Sequence, residues 1–389
     1  MKVLHVISSI APCRGGPSAA VLAMVRALQK EGVQADIVTT NDNGPALLPV
    51  ATGTMQDYEG CRVCFLPRWS PGIAALREFQ YSAEFTPWLR AALPSYDVLH
   101  VHAVFSYLST RAMMLARAAG IPYLNRPLGQ LDAWSLGQKA LKKRLYYSVI
   151  EGRNLAGASA IHCTSEAEAG SVRALLPESR TTVIPHGIEP PAEMADAPAR
   201  MRATMNIPAG VPVILFLSRW HPKKNIPLLL ETLAEMKQEP WVLVLAGTAE
   251  DGYSAIVQQA IQQHGLQDRV RCPGHVQGEE KALLLQGADA FVLPSSSENF
   301  GIAVAEALVS GLPVVTTPGV DLAPVVLELN GGFICKPEVE SLRSSLRQGL
   351  HRPNDKLRLS QNARQRFDWS ASARKLSTLY ECVTKRMRG

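Results

Sequence analysis

No apolar run in this chain of 389 residues approaches the about 20 residues that a membrane-spanning helix needs. Charge is sparse at 19% and aromatic residues sparser at 6%. No aromatic-plus-basic stripe of the kind that grips single-stranded nucleic acid is present. The net charge of +6 is modest and dispersed, which fits an enzyme handling anionic phosphates and argues against a nucleic-acid partner. A Gly-x-Gly-x-x-Gly fingerprint and a Walker lysine motif are both missing, so neither a nicotinamide enzyme nor a P-loop ATPase is supported. No Asp-x-Asp motif stands at a strand end, and neither a metal nor another cofactor is expected. The seven cysteines are odd in number and scattered, behind a start (Met1-Lys2-Val3-Leu4) without a secretory pattern. A cytoplasmic protein with reduced thiols is the expectation. Cys61 and Cys64 have the spacing of a metal or redox pair, but no second pair or nearby histidine completes a zinc site. They are expected to be strand cysteines.

What the sequence has in abundance is alternation of strand and helix. Lys2–Ser8 reads as a first parallel strand, followed by a glycine loop and a helix from Ser18 to Glu31 with Pro17 at its first position. Val33 to Thr40, Tyr96 to Val101, Ile121 to Asn125, Ala158 to Cys163 and Thr181 to Ile184 continue the pattern. Between Pro185 and Pro212 six prolines (185, 190, 191, 198, 208, 212) fall among small residues, as in an inter-domain connection. A second series then follows, with strands at Val213–Leu217, Trp241–Ala246, Arg269–Cys272, Ala290–Leu293 and Val314–Thr316. The length calls for two domains, and the order calls for two doubly wound α/β domains facing across a cleft.

The most informative segment is Glu298-Asn299-Phe300-Gly301-Ile302-Ala303-Val304-Ala305-Glu306. It follows the apolar run Ala290–Pro294 and precedes Gly311-Leu312-Pro313-Val314-Val315. That order reads as strand, loop, helix and next strand, with Glu298 at the carboxyl end of a parallel strand, where open α/β sheets bind ligands. Helix-start amides of Phe300, Gly301 and Ile302 suit hydroxyls or phosphate oxygens, and Glu306 lies about a turn and a half further on. Glu298 alone would be an ordinary helix-start acid; the whole segment points to a ligand that is part sugar and part phosphate. The strand at 213–217 ends in Ser218-Arg219-Trp220-His221-Pro222-Lys223-Lys224-Asn225, which places Arg219 and Lys224 to grip a diphosphate. Gly15 and Gly16 sit in the equivalent loop of the first domain, where backbone can approach a ligand closely. His100 and His102 flank Val101, so both point to one face of their strand, with His102 nearer the ligand edge. No third ligand for a metal is evident beside them.

These residues resemble the retaining, family-four glycosyltransferases of GT-B architecture. The likeness runs along essentially the whole chain: the Gly15-Gly16 loop, Asp97-Val-Leu-His-Val-His102, Thr164-Ser165-Glu166, Val183-Ile-Pro-His-Gly-Ile188, Ser218-Arg219 with Lys224, Pro273-Gly274-His275-Val276, and the Glu-x7-Glu segment. The resemblance implies that Arg219 and Lys224 hold the diphosphate of a nucleotide-sugar, with Gly16 amides assisting. It implies that Glu306 bonds the ribose, that backbone near Val276 reads the base, and that Glu298, Asn299 and the Phe300, Gly301 and Ile302 amides hold the sugar. His102 would lie near the reacting centre. It further implies domains at 1–188 and 189–368, with a helix over 369–389 packing back on the first. Asn225 departs from the glycine of many members, and His186 from their usual asparagine. Residues Arg126 to Trp134, including Arg126 and Gly129, resemble members that build bacterial surface polysaccharides, and place the acceptor side there. A UDP-hexose donor, glucose foremost, and a glycan or lipid-linked acceptor are expected. The helix with Lys139, Lys142, Lys143, Arg144, Leu141, Leu145 and Tyr146 could lie on the inner face of an anionic plasma membrane or be an ordinary solvated face. The competing readings are a sugar-nucleotide epimerase of the same architecture and a non-catalytic sugar-nucleotide binder; a glycoside hydrolase would not need the phosphate-gripping cations.

Overall fold

The computed structural model describes residues 1–72, 77–138, 140–249, 252–351 and 355–388. The chain divides into two compact units, Met1–Gly187 with Asp368–Gly389, and Ile188–Phe367. The strands of the first are β1 (Lys2–Val6), β2 (Gln34–Thr40), β3 (Asp42–Asn43), β4 (Ala46–Leu47), β5 (Met55–Tyr58), β6 (Cys61–Leu66), β7 (Val98–His102), β8 (Tyr123–Arg126), β9 (Ala160–Cys163) and β10 (Thr181–Val183). Eight of them form one sheet in the order β10-β9-β8-β7-β1-β2-β6-β5. All its pairs are parallel except the edge pair of β5 with β6. Its strands read as near-continuous apolar runs because both faces are covered. Val3, Ile37, Val63 and Phe65 face one core; Leu4, Val6, Val38 and Leu66 face the other. Cys61 and Cys64 fall on these opposite faces as free, buried thiols, which the three-residue offset in a strand requires.

The second unit carries β11 (Val213–Leu217), β12 (Val242–Ala246), β13 (Val270–Gly274), β14 (Ala290–Leu293), β15 (Val314–Thr316) and β16 (Gly332–Ile334). They form a wholly parallel sheet in the order β13-β12-β11-β14-β15-β16. Each sheet reverses its direction of winding at one place, between β1 and β7 and between β11 and β14. Chains leave such a point in opposite directions, so the loops at the strands' carboxyl ends part there and open a ligand crevice.

Two expectations are adjusted. The first helix spans Gly16–Lys30 with Gly15 before it, so Pro17 is its second residue. Part of the proline-rich stretch is no loose connection: the helix Ala197–Thr204 buries Met201 in the second core, against Gly287, where a Cβ would stand 2.9 Å from the Met201 side chain. The terminal helix Trp369–Arg388 belongs to the first unit. Its Ala373, Leu376, Tyr380 and Val383 recur at helical spacing and pack with Val21, Met24, Val25 and Leu28 of the first helix.

Candidate active site

At the reversal point of the second sheet, the loops after β11 and β14 are joined by hydrogen bonds to backbone carbonyls. After β11 the chain makes a short helical turn, Pro222–Lys224, and Asn225 then takes the left-handed conformation (φ 54°, ψ 38°). This conformation explains why asparagine can stand where glycine is common, since its short polar side chain tolerates that region. Asn225 Nδ2 donates to the Pro294 carbonyl at 2.8 Å, and the Ser296 amide to the Lys223 carbonyl at 2.8 Å. These bonds bring the ammonium of Lys224 onto Glu298 Oε1, with Lys223 Nζ 3.4 Å from the same oxygen. Burial pulls Lys224 below its ordinary pKa, an effect Glu298 opposes. Burial pushes Glu298 up, but Lys224 and Lys223 outweigh it and hold the carboxyl below its usual range. Arg219 stands exposed on the same loop.

The Glu298 loop is fastened on its other side. Its amide donates to the Gly319 carbonyl at 2.8 Å, and its carbonyl accepts from the Asp321 amide at 3.0 Å. Phe300 anchors the turn by packing edge-on to Phe367, centroids 6.1 Å apart, at 3% exposure. Gly301 then turns left-handed (φ 90°, ψ 57°) to start the helix Ile302–Val309. A Cβ at Gly301 would lie 2.8 Å from Val320 Cγ1 and occupy a disfavoured backbone region. Gly301→Ala is therefore expected to cost about 1–3 kcal/mol, read as a lower urea midpoint; an unchanged midpoint would mean the turn relaxes freely. Glu306, in that helix, forms an ion pair with Lys281 at 2.7 Å. Val276 is buried just beyond Gly274, whose carbonyl accepts from the Gly247 amide at 2.7 Å. Asn299 lies between Glu298 and Phe300, half-buried. The second unit thus gathers Lys224, Lys223 and Glu298 into one cluster; Lys281, on a neighbouring helix, is a charged member of the region that the sequence reading missed, because it carries no spacing signal.

In the first unit, Gly15 (φ 78°, ψ −147°) precedes the helix in which Gly16 is the first residue. The loop before it is clamped by Arg14, whose Nε donates to Asp42 Oδ2 at 2.7 Å, while Arg68 pairs with the other oxygen of Asp42. His102 does not stand open to solvent: it is fully buried, its ring stacked on His100 at 4.5 Å. Its Nε2 shares a hydrogen bond with His5 Nδ1 at 3.0 Å, and its Nδ1 lies 3.3 Å from Arg126 Nη1. Arg126 is buried as well and donates through Nη2 to His186 Nε2 at 2.6 Å, which gives the unusual His186 a structural partner. Gly129 donates its amide to Glu168 at 2.8 Å. His162 links His100 (3.2 Å) to the Ile184 carbonyl (2.9 Å), and His100 meets the Tyr380 hydroxyl at 2.7 Å. Burial depresses all five imidazoles, His5 and His162 to about 3 and His100, His102 and His186 well below their ordinary value; Arg126 adds to the effect.

The third histidine that the sequence did not disclose is His5, from the adjacent strand: ligand atoms of His5, His100 and His102 lie within 4.8 Å of one another. The guanidinium of Arg126 beside them is a fixed positive charge that opposes a cation there. The loops after β7 and β8 hold three non-glycine residues at positive φ, Ala103 (69°), Phe105 (57°) and Leu128 (58°). Gln130 accepts from the Val104 amide at 2.7 Å and Glu151 from the Phe105 amide at 3.2 Å, so side chains hold this strained edge in place.

Two family models match along the chain: "Glycosyl transferase 4-like domain" over residues 15–187 and "Glycosyl transferases group 1" over residues 199–366. The chain belongs to the family-four glycosyltransferases of GT-B architecture. This glycosyltransferase is 27% identical to a D-inositol 3-phosphate glycosyltransferase of Xylanimonas cellulosilytica, covering 96% of the chain and 93% of the relative. It is 25% identical to a GDP-mannose:cellobiosyl-diphosphopolyprenol alpha-mannosyltransferase of Xanthomonas oryzae pv. oryzae, covering 95% and 93%. Its fold matches sucrose-phosphate synthase of Thermosynechococcus elongatus with a TM-score of 0.80 at 22% identity, over 99% of this chain and 100% of that one. HepE of Anabaena, solved with UDP and glucose, matches with a TM-score of 0.73 at 20% identity, over 98% and 100%. The glycosyltransferase is an enzyme of the hexosyltransferase class, which sets aside the non-catalytic and epimerase readings. Among the described residues no helix is long and apolar enough to cross a membrane.

Proposed function

We propose that this enzyme transfers a hexose with retention from a UDP-hexose, UDP-glucose foremost, to a glycan or lipid-linked acceptor in bacterial surface polysaccharide synthesis. The observation that carries the reading is the Lys224–Glu298 pair, with Lys223 beside it, at the reversal point of the second sheet. Breaking the bond from sugar C1 to the diphosphate puts negative charge on the leaving group. Preorganised ammonium groups in a partly dry site stabilise that charge without reorganising at the moment of reaction. Arg219 supplies a further planar cation. Glu298, which aims Lys224, would also take sugar hydroxyls together with Asn299 and the helix-start amides at Phe300, Gly301 and Ile302. Glu306 would accept from the ribose hydroxyls, with backbone near Val276 at the base.

In the first unit we assign Gly15 and Gly16 to the diphosphate. Gly129 belongs to the acceptor-side loops, and Arg126, whose Nη1 lies 3.3 Å from His102 Nδ1, is assigned to positioning that imidazole. His102, a neutral imidazole, is assigned to the sugar. In a front-face displacement the acceptor oxygen bonds C1 on the side the diphosphate leaves, and the acceptor proton passes to the departing phosphate oxygen. That route needs no metal and no protein nucleophile.

Support for a nucleoside diphosphate donor comes from relatives named for GDP-mannose or solved with UDP. Calorimetry against UDP-glucose, UDP-galactose and GDP-mannose tests the donor, and tighter binding of GDP-mannose would overturn the UDP assignment. Proton NMR of the product tests retention, which an inverted anomer would refute. Glu306→Ala is expected to weaken nucleotide-sugar binding by about tenfold, the worth of a charge-assisted hydrogen bond; a calorimetric Kd equal to wild type would remove Glu306 from the ribose.

A further inference from the structure

The helical run that begins at Ala140 wears its apolar side outward. Leu141, Leu145 and Val149 recur every four residues and are 88%, 67% and 61% exposed. A helix on a globular domain ordinarily buries that stripe and turns its polar residues to water. Here the inward side carries the polar contacts. The Tyr146 hydroxyl donates to Thr110 Oγ1 at 3.0 Å, and Lys143 Nζ donates to the Ser135 carbonyl at 2.5 Å while lying 5.6 Å over the Phe105 ring. Tyr146 and Lys143 therefore leave the outer face that the sequence alone would grant them. Lys139 lies outside the described residues. Lys142 and Arg144 remain exposed, one on each side of the leucine ridge. From Ala133 to Ile150 the sequence holds no aspartate or glutamate, and exposed Trp134 lies on the adjoining helix Ala133–Gly137.

We propose that the Leu141–Leu145–Val149 ridge seats this enzyme on an anionic lipid bilayer. An apolar ridge can enter the boundary between headgroups and acyl chains, while flanking Lys142 and Arg144 reach back to the lipid phosphates with their long stems. The charge is complementary to that surface and disfavours a second copy of the chain. A second copy docked ridge to ridge about a two-fold axis would set like-charged flanks near one another with no acid to offset them. The surface extends the lipid-linked acceptor reading. It can be tested without any transfer, so the two can fail separately.

The test is flotation of the full chain with phosphatidylglycerol–phosphatidylcholine vesicles, compared with phosphatidylcholine vesicles alone. The wild type should float with the anionic vesicles at low salt, and less so at high salt, as the Debye length shortens. Leu141→Glu with Leu145→Glu should lower the bound fraction by about tenfold, and Lys142→Gln with Arg144→Gln should lower it on anionic vesicles only. Both pairs are exposed, so circular dichroism and calorimetric nucleotide-sugar binding should match wild type. Failure of the wild type to float, or flotation of the leucine variant at the wild-type level, would overturn the proposal. So would a dimer that the leucine variant dissociates in the absence of lipid binding, since a second copy would then cover the ridge. If flotation holds while transfer to every lipid-linked acceptor fails, the ridge stands and the acceptor reading falls.

Discussion

Replacing Lys224 by alanine is expected to lower sugar transfer by about a hundredfold or more, chiefly in kcat, because a preorganised cation at the leaving group is worth roughly 3–4 kcal/mol in the transition state. The structure adds a second consequence. Lys224 is buried and paired with Glu298, so its loss leaves that carboxylate with Lys223 alone, 3.4 Å away. Glu298 should then rise toward the ordinary carboxylate pKa or above, since burial pushes it up and its main opposing charge is gone. Activity of Lys224→Ala should accordingly fall further as pH drops from 7 to 5, a slope the wild type lacks. Lys224→Arg keeps the charge but changes its shape, and should recover part of the rate. The measurement is initial rate of nucleoside diphosphate release across pH. Wild-type turnover in Lys224→Ala would remove the lysine from the diphosphate. A low rate with no pH slope would keep the cation role and discard the coupling to Glu298.

The second large effect concerns acid stability of the first unit. His5, His100, His102, His162 and His186 are all buried there, and burial lowers every one of their pKa values. The unfolded chain regains imidazoles that protonate near 6.5, so below that pH it binds more protons than the folded unit does. Stability is therefore fully present above about 6.5 and is lost as pH falls toward about 3, where His5 and His162 would protonate in the folded state. Each such histidine costs about 1 kcal/mol per pH unit in that window, so together they remove several kcal/mol by pH 5.5, comparable to a domain's whole stability of about 5–15 kcal/mol. Calorimetry between pH 8 and 5 should show the first unit melting earlier on acidification, with the second following at a higher temperature. A melting temperature independent of pH over that range would mean that these imidazoles are not held neutral.

Periodicity and turn chemistry were enough to write down two α/β units, the order of their main strands and the loop positions of Arg219, Lys224, Glu298 and Gly301. Those properties are local. Strand and helix periods differ, Gly and Asn mark positive φ, and carboxyl-end loops follow from parallel connections. The edge strand β5 was not legible, because Met55–Tyr58 is short and only partly buried, so its alternation is weak. Nor was the identity of partners. That Lys224 meets Glu298, that Glu306 meets Lys281 and that His5 closes on His102 depends on which strands become neighbours, over separations of 74, 25 and 97 residues. The inward turn of His102 and Arg126, and the outward turn of Leu141, Leu145 and Val149, were likewise decided by tertiary packing. For these residues burial was settled by what packs against their elements, and the pattern within the element did not record it.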